Sequence, residues 1–426
     1  MRIIADFHLH SKFSRATSRD MVIDNIAKWA TWKGINLIGT ADFTHPLWFS
    51  EIKNQLNDLG NGLFSAKNFP KIKFILTTEI SCIYSDGGQV RKVHNVIFAP
   101  SLEAVEKINR KLSVIGNLYS DGRPILGLSS YDLTKIILEV DKNCLIIPAH
   151  AWTPWFSIFG SKSGFNSIEE CFRDLSKEIF AVETGLSSDP EMNWRLSKLD
   201  PIALISCSDA HSPANLGREA TVFEFKDNNY GYQNIIDALK FKKNNFPNLK
   251  DNPLKYTIEF FPEEGKYHFD GHRLCNATCL NPTETKKHQG ICPVCKKPLT
   301  VGVMNRVEEL ADRSEGYDPS GFPGSKHLVP LQEIIAESFG VQKNSVRVQE
   351  EYQKMVYLFN SEFNILLDEP IENIAKNHSA KIAEGISFMR EGKVKKIPGY
   401  DGVYGIVKVF DAKERQKNEP KQKTLF

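Results

Sequence analysis

Two imidazoles, His8 and His10, stand two residues apart at the end of the apolar run Ile3–Phe7. Residues two apart on a strand face the same side, so this pair suits one bound ion. Two histidines at even spacing are also common in cores and on surfaces, but the pattern continues. Further apolar runs end at or contain Asp42, Glu79, His94, His150 and the pair Asp209 and His211. In parallel β/α folds the C-terminal strand ends share one face, where active sites gather. Imidazole with carboxylate is a ligand set for zinc, manganese or iron. There are more ligands here than one tetrahedral ion needs. The expectation is a site for two or three divalent ions (zinc, manganese or magnesium) that hydrolyses a phosphate ester. Asp209, Glu79 and His211 are the expected catalytic groups. Glu79 would bridge two ions, and Asp209 would bind metal and orient or deprotonate the attacking water.

A second group is the cysteine cluster Cys275, Cys279, Cys292 and Cys295. Four thiolates on two short knuckles can wrap one structural zinc. His268, His272 and His288 lie close and could substitute, although four cysteines suffice. Lysines 286, 287, 296 and 297 flank the cluster, either as a nucleic-acid contact or as a solvated rim. Cys82, Cys144, Cys171 and Cys207 are scattered and read as buried small apolar residues.

These groups must be held by elements, and the chain is long enough for several domains. It has 426 residues, of which 41% are hydrophobic and 25% charged, which excludes global disorder. No run approaches the roughly 20 apolar residues of a membrane helix, and the first residues lack the pattern of a secretory signal. Lysine and arginine number 54 against 52 acidic residues, a net +2 that gives no support to nucleic-acid binding by itself. Clustered thiols without an export signal point to a reducing, cytoplasmic setting.

Residues 1–250 alternate short apolar runs with helical patterns such as 21–33, 102–115, 131–140 and 232–243, the signature of an α/β fold with β/α units around a parallel sheet or barrel. Residues 251–305 carry the cysteines and are too few for a core without metal. Residues 306–410 are mainly helical, with periodic stretches at 331–339, 346–367 and 372–390. The stretch 314–330 reads as a loop or linker. Residues 411–426 form a charged tail.

The order His8-x-His10, Asp42, Glu79, His94, His150, Asp209-x-His211 resembles the PHP (polymerase and histidinol phosphatase) family of metal-dependent phosphoesterases. That resemblance implies a distorted seven-stranded β/α barrel with a multinuclear metal site at its mouth. Relatives often read Thr-Asp-His where this chain has Thr40-Ala41-Asp42-Phe43. Asp42 takes the place of the missing histidine, or His45 reaches in. The end of the chain, Gln422 with Leu425 and Phe426, resembles the peptide motif that docks into DNA sliding clamps.

The barrel, the four-cysteine zinc ribbon, the helical region and this tail together resemble the endonuclease Q family over nearly the whole chain. The segments His150-Ala151-Trp152-Thr153-Pro154-Trp155, Glu183 to Pro190 and Pro398 to Val403 carry that resemblance further. It implies cleavage of DNA on the 5′ side of uracil, hypoxanthine, xanthine and abasic sites, in a nucleoid-associated prokaryotic protein. Reading such a base requires flipping it out. Gly185, Leu186 and Ser187 could donate backbone N–H groups to it, and Trp152, Trp155 and Trp194 could stack on it. Rival readings are a phosphatase for a small phosphomonoester such as histidinol phosphate, and a nucleic-acid adaptor without turnover.

Overall fold

The apolar run that opens the chain forms β1 (Arg2–Asp6), buried at every position after Arg2. In the computed structural model, which describes residues 1–227, 229–240, 251–275 and 278–410, β1 runs parallel to β2 (Leu37–Gly39). An antiparallel pair follows, β3 (Leu56–Asp58) and β4 (Leu63–Ala66). The chain returns as β5 (Phe69–Asp86), parallel to β2 and antiparallel to β4.

β5 continues well past Glu79, where the sequence reading ended it. It folds back on β6 (Gln89–Ala99) in an antiparallel ladder from Leu76 opposite Ala99 to Asp86 opposite Gln89. Gly87 and Gly88 make the turn, both with positive φ, as a two-residue hairpin turn of this kind requires. Then come β7 (Ile125–Leu126) beside β5, β8 (Leu145–Pro148) antiparallel to β6, and the parallel pair β9 (Ala181–Glu183) and β10 (Ala203–Ile205). β11 (Ala220–Glu224) lies antiparallel to β1, and β12 (Leu254–Glu259) antiparallel to β11.

The sheet is therefore mixed. A direct hairpin at β5–β6 and antiparallel pairings at β6–β8, β1–β11 and β11–β12 take the place of the all-parallel order that helical crossovers would give. Residues from ten strands still meet in one apolar core, among them Ile3, Ala5, Leu37, Leu63, Ile75, Val96, Ile147, Ala181, Ile205, Phe223 and Leu254. The intervening residues pack outward against helices such as Ile23–Lys33, which buries Ile23, Ile26, Ala27 and Ala30.

The later segments add to this frame. A small hairpin, β13 (Asp270–His272) with β14 (Thr278–Leu280), carries part of the cysteine region. β15 (Gly324–His327) pairs in parallel with β12. It lies inside the stretch that reads as linker, because an edge strand is held by backbone pairing and needs no apolar pattern. The main sheet thus draws strands from all three folded segments drawn along the sequence. The last hairpin is β16 (Lys395–Ile397) with β17 (Ile406–Lys408).

The periodic stretch 346–367 breaks after the helix Val346–Phe359, where Asn360 takes φ +72°. The stretch 372–390 divides into Ile371–Asn377 and Ala380–Arg390, because Ser379 caps the second helix through Ile382 N–H. These helices dock on Ile23–Lys33 through a buried ion pair. Lys33 Nζ lies 2.7 Å from Glu362, which also accepts from Tyr352 Oη at 2.8 Å and from Leu331 N at 3.0 Å. No helix among the described residues is long and apolar enough to cross a membrane.

Candidate metal centre

His8 and His10 follow β1, and their ring nitrogens converge with two carboxylates. His10 Nε2 lies 3.2 Å from Glu79 Oε2 and 3.1 Å from Asp209 Oδ1. His8 Nε2 lies 3.4 Å and 3.7 Å from the same two oxygens. The other oxygen of Glu79 faces a second pair, with His94 Nδ1 at 2.7 Å and His150 Nε2 at 3.2 Å. Glu79 comes from the middle of β5 and His94 from the antiparallel β6, two registers along on the same face. One fully buried carboxylate thus joins two clusters of ligand atoms, His8–His10–Glu79–Asp209 and Glu79–His94–His150, each within 4.8 Å.

His8 Nε2, His10 Nε2 and Asp209 Oδ1 are buried without a hydrogen-bond partner. Such atoms cost free energy unless something satisfies them, and this donor set fits divalent ions. His211 flanks the first cluster, its ring 4.5 Å from that of His10, and its Nδ1 lies 2.9 Å from the backbone oxygen of Asp209.

Asp42 is placed differently from its expected role as a metal ligand. Its Oδ1 lies 3.1 Å from His10 Nδ1, while its Oδ2 accepts from Ser11 N, Ser11 Oγ and Ser14 Oγ at 2.6–2.8 Å. With both oxygens engaged it orients His10 and turns Nε2 toward the cluster. His45 does not reach in; it stacks on Phe13 with centroids 4.3 Å apart. Glu183 does for His8 what Asp42 does for His10, with Nδ1 3.0 Å from its Oε2. The same oxygen accepts from His150 N at 2.9 Å.

Asp42, His150 and Asp209 all sit in the left-handed region, at φ +38°, +32° and +46°. Such strain persists only where the surroundings over-determine it, and each turn has a clamp. Buried Trp48 donates its indole N–H to the carbonyls of Thr40 and Ala41, at 2.9 and 3.0 Å. Glu183 holds His150. Asp6 accepts from Ser208 N and Gly217 N, both at 3.0 Å, and so pins the loop that carries Asp209. Gly185 is tied to the same centre, since a Cβ there would lie 2.5 Å from that of His150.

Arg123 is the cation of the site. Its Nη1 lies 3.0 Å from Glu79 Oε2. Burial opposes ionisation of Glu79, but His94, Arg123 and His8 outweigh it and hold the carboxyl well below the usual carboxylate range. Asp209 is likewise held down by His10 and His8 against its burial. Burial also works against charging His8 and His10, yet Glu183 and Glu79 raise the first and Asp42, Asp209 and Glu79 the second well above ordinary imidazole. For His94 burial wins, and its pKa falls to about 4.

Sequence reasoning missed Arg123, Asp6 and the orienting role of Glu183. Arg123 lies in a loop with no motif of its own. Asp6 ends the strand that precedes His8 and His10, and Glu183 ends β9; a carboxylate at a strand end was an available signal.

The cysteine site differs from the expected set of four thiolates. The atoms that converge belong to His272, Cys275, Cys292 and Cys295, all within 4.8 Å. His272-x2-Cys275 and Cys292-x2-Cys295 are two knuckles of equal spacing. Cys279 falls outside this group, opposite Gly271 in the β13–β14 pair. Its thiol is pushed up to about 11 by burial, with Glu284 and Asp270 adding to it.

Of the expected lesion-pocket residues, Trp152 belongs to the core, 1% exposed, with its N–H on Asn193 Oδ1 at 2.8 Å. Trp194 is buried as well. Trp155 is 37% exposed and meets Tyr267 edge-on. Leu186 lines a cleft of about 510 Å³ with Asp209, His211, Arg218, Phe260 and Tyr404, and Ser187 lies behind it near Gly265. Gln422, Leu425 and Phe426 lie outside the described residues.

The chain superposes on the lesion-specific endonuclease PfuEndoQ from Pyrococcus furiosus with a TM-score of 0.83, at 31% identity, covering 98% of this chain and 100% of that one. A structure of endonuclease Q with a 27-mer duplex bearing an abasic lesion at the active site matches with the same TM-score, at 32% identity over 97% and 98%. The uncharacterized protein YqxK of Bacillus subtilis is 28% identical over 96% of this chain and 99% of its own. The uncharacterized protein MJ0043 of Methanocaldococcus jannaschii is 31% identical over 66% of this chain, which spans about a third (34%) of that relative's length. Residues 330–393 match the family described as the MJ0043 C-terminal domain.

Proposed function

This chain belongs to the endonuclease Q family, and on that premise we propose that it is a metal-dependent DNA repair endonuclease that hydrolyses the phosphodiester 5′ to deaminated bases and abasic sites. The observation that carries the reading is the pair of ligand clusters joined through Glu79, in which the buried His8 Nε2, His10 Nε2 and Asp209 Oδ1 converge without hydrogen-bonding one another. We read the strands around the inner core as a distorted PHP-type barrel, with His272, Cys275, Cys292 and Cys295 as a structural zinc site beside it.

Divalent ions at the two clusters would supply water activation and neutralise charge on the phosphate. His8, His10, Glu79 and Asp209 would hold one, and Glu79, His94 and His150 another. Asp209, at the cleft, is placed to orient the attacking water. Asp42 and Glu183 fix the ring directions of His10 and His8, and Arg123 adds a fixed positive charge where the phosphate must sit. Arg218 donates from Nε to Ser208 O at 2.9 Å and faces the same cleft, a second place for a phosphate of the backbone. Deamination replaces an amine donor with a carbonyl acceptor. Backbone N–H groups of the turn at Gly185–Ser187 beside the cleft suit that edge. The tail at Gln422, Leu425 and Phe426 is proposed to dock a DNA sliding clamp, and deleting it should abolish clamp binding.

The test is a 5′-labelled duplex with one deoxyuridine or deoxyinosine, incubated with magnesium or manganese beside an undamaged duplex and an Asp209→Ala control. A single nick 5′ to the lesion, absent from both controls, is the expected result. Turnover of a small phosphomonoester with no DNA cleavage would overturn it in favour of a phosphatase.

A further inference from the structure

The hairpin of β16 and β17 has no folding reason for what it exposes. Tyr404 is 66% exposed, and Ile397, Val403 and Ile406 on the same hairpin are 45%, 39% and 46% exposed. Ile397 and Ile406 are paired across its two strands, and exposed apolar side chains gathered on one hairpin mark a contact surface. The hairpin is also held stiffly. Gly399 N donates to Glu263 O at 2.8 Å, Gly402 N to Lys266 O at 2.9 Å, and Gly405 N to Glu264 O at 3.1 Å. Gly399 and Gly405 pass so close to the backbone of residues 263–265 that neither has room for a Cβ. The hairpin is therefore presented in one position. That position is the rim of the cleft that contains Asp209 and His211, since Tyr404 and Gly405 line it too.

The surroundings identify the partner. Lys395, Lys396 and Lys408 lie on the hairpin, Lys396 paired with Glu263 at 2.9 Å, and Lys266 Nζ stands 4.5 Å over the Tyr404 ring. A partner with an anionic outside and an apolar, stackable interior fits such a surface, and duplex DNA has both. An enzyme that acts on a flipped nucleotide leaves a gap in the stack. An exposed aromatic ring on a rigid hairpin beside the cleft is placed to fill it.

We propose that Tyr404 inserts into the duplex where the lesion nucleotide has left, stacking on the neighbouring base and keeping the lesion in the cleft. This rests on the endonuclease reading above. It assigns the hairpin at 395–408 as the element that separates lesion from stack.

The test compares Tyr404→Ala, Tyr404→Trp and wild type on two duplexes, one with a paired deoxyuridine and one with deoxyuridine in an unpaired bubble. Tyr404→Ala should lower single-turnover nicking of the paired lesion by about tenfold or more. On the bubble, where little stacking is lost, the loss should be under about threefold. Tyr404→Trp should restore paired cleavage. As a readout independent of cleavage, 2-aminopurine next to the lesion should be quenched by bound wild type and brighter with Tyr404→Ala. Equal losses on both duplexes, or no loss on either, would overturn the insertion role. So would a dimer in solution that Tyr404→Ala dissolves, since the hairpin would then serve a second copy of the chain. No nicking of either duplex by wild type, with metals bound, would instead sink the endonuclease reading and this proposal with it.

Discussion

Two of the buried charged clusters in this molecule, at Lys33 and at Glu79, are finished differently. At Lys33 the charges are complete: the ammonium meets Glu362, whose oxygens also take Tyr352 Oη and Leu331 N. At Glu79 the charges converge but buried atoms of His8, His10 and Asp209 are left without a hydrogen bond. The backbone differs in the same way. Three residues of the metal centre and its support hold positive φ, while Lys33 ends an ordinary helix closed by Gly34. The junction uses its polar groups to hold helices together. The centre keeps them free for something that is not protein, and the strain is secured by clamps from Trp48, Asp6 and Glu183.

The sharpest way to separate the two is to remove one carboxylate from each. Glu79→Gln should lower lesion nicking by roughly a thousandfold or more per folded molecule. Glu362→Ala should do the reverse. It strands a buried ammonium and should cost about 3–5 kcal/mol of stability in urea unfolding, with nicking per folded molecule unchanged. If Glu362→Ala leaves stability intact, the contrast between the regions fails.

A smaller effect is expected from the groups that aim the ligands. Asp42→Asn or Glu183→Gln should weaken metal binding by about 10–100-fold, read by equilibrium competition with a chelating dye. A loss as large as that of Glu79→Gln would return Asp42 to the ligand set. Metal binding should also be pH-dependent. His8 and His10 are raised above ordinary imidazole in the metal-free protein, so they carry protons at neutral pH that an ion must displace. Apparent affinity should keep rising as pH increases beyond about 6.5, the ordinary imidazole value, and calorimetry in buffers of different ionisation enthalpy should show proton release. The smallest effect belongs to the cysteine site. Cys279→Ser should leave zinc content unchanged, whereas His272→Ala should lower it.

Much of the centre was legible because metal chemistry restricts residue type. His8, His10, Glu79, His94, His150 and Asp209 come together as their spacing suggested. The reasoning about strand ends was only partly right, since Glu79 and His94 sit inside an antiparallel hairpin. The turn Asp86-Gly87-Gly88-Gln89 signalled that hairpin in the sequence. Asp42 lies outside both ligand clusters and against His10 Nδ1, and a carboxylate so placed looks the same in sequence as one that binds metal. At the cysteine site His272, open in the sequence as a substitute, joins Cys275, Cys292 and Cys295 in place of Cys279, matching the paired x2 knuckles. Trp152 and Trp194 were offered to the lesion for want of any sign of depth. Tyr404 was passed over because a hairpin rim has no periodicity to announce it.

The way the sheet is finished bears on how the chain is made. β11 ends at Glu224, but the strand that covers its edge is complete only at Glu259, and the strand that covers that one only at His327. On a ribosome adding about 5–20 residues per second, the interval between Glu224 and His327 lasts on the order of 5–20 seconds. Throughout it the nascent sheet presents an open edge, and open edges recruit other strands. Synthesis conditions that slow translation between these points should raise the aggregated fraction, and a slower rate after His327 should not.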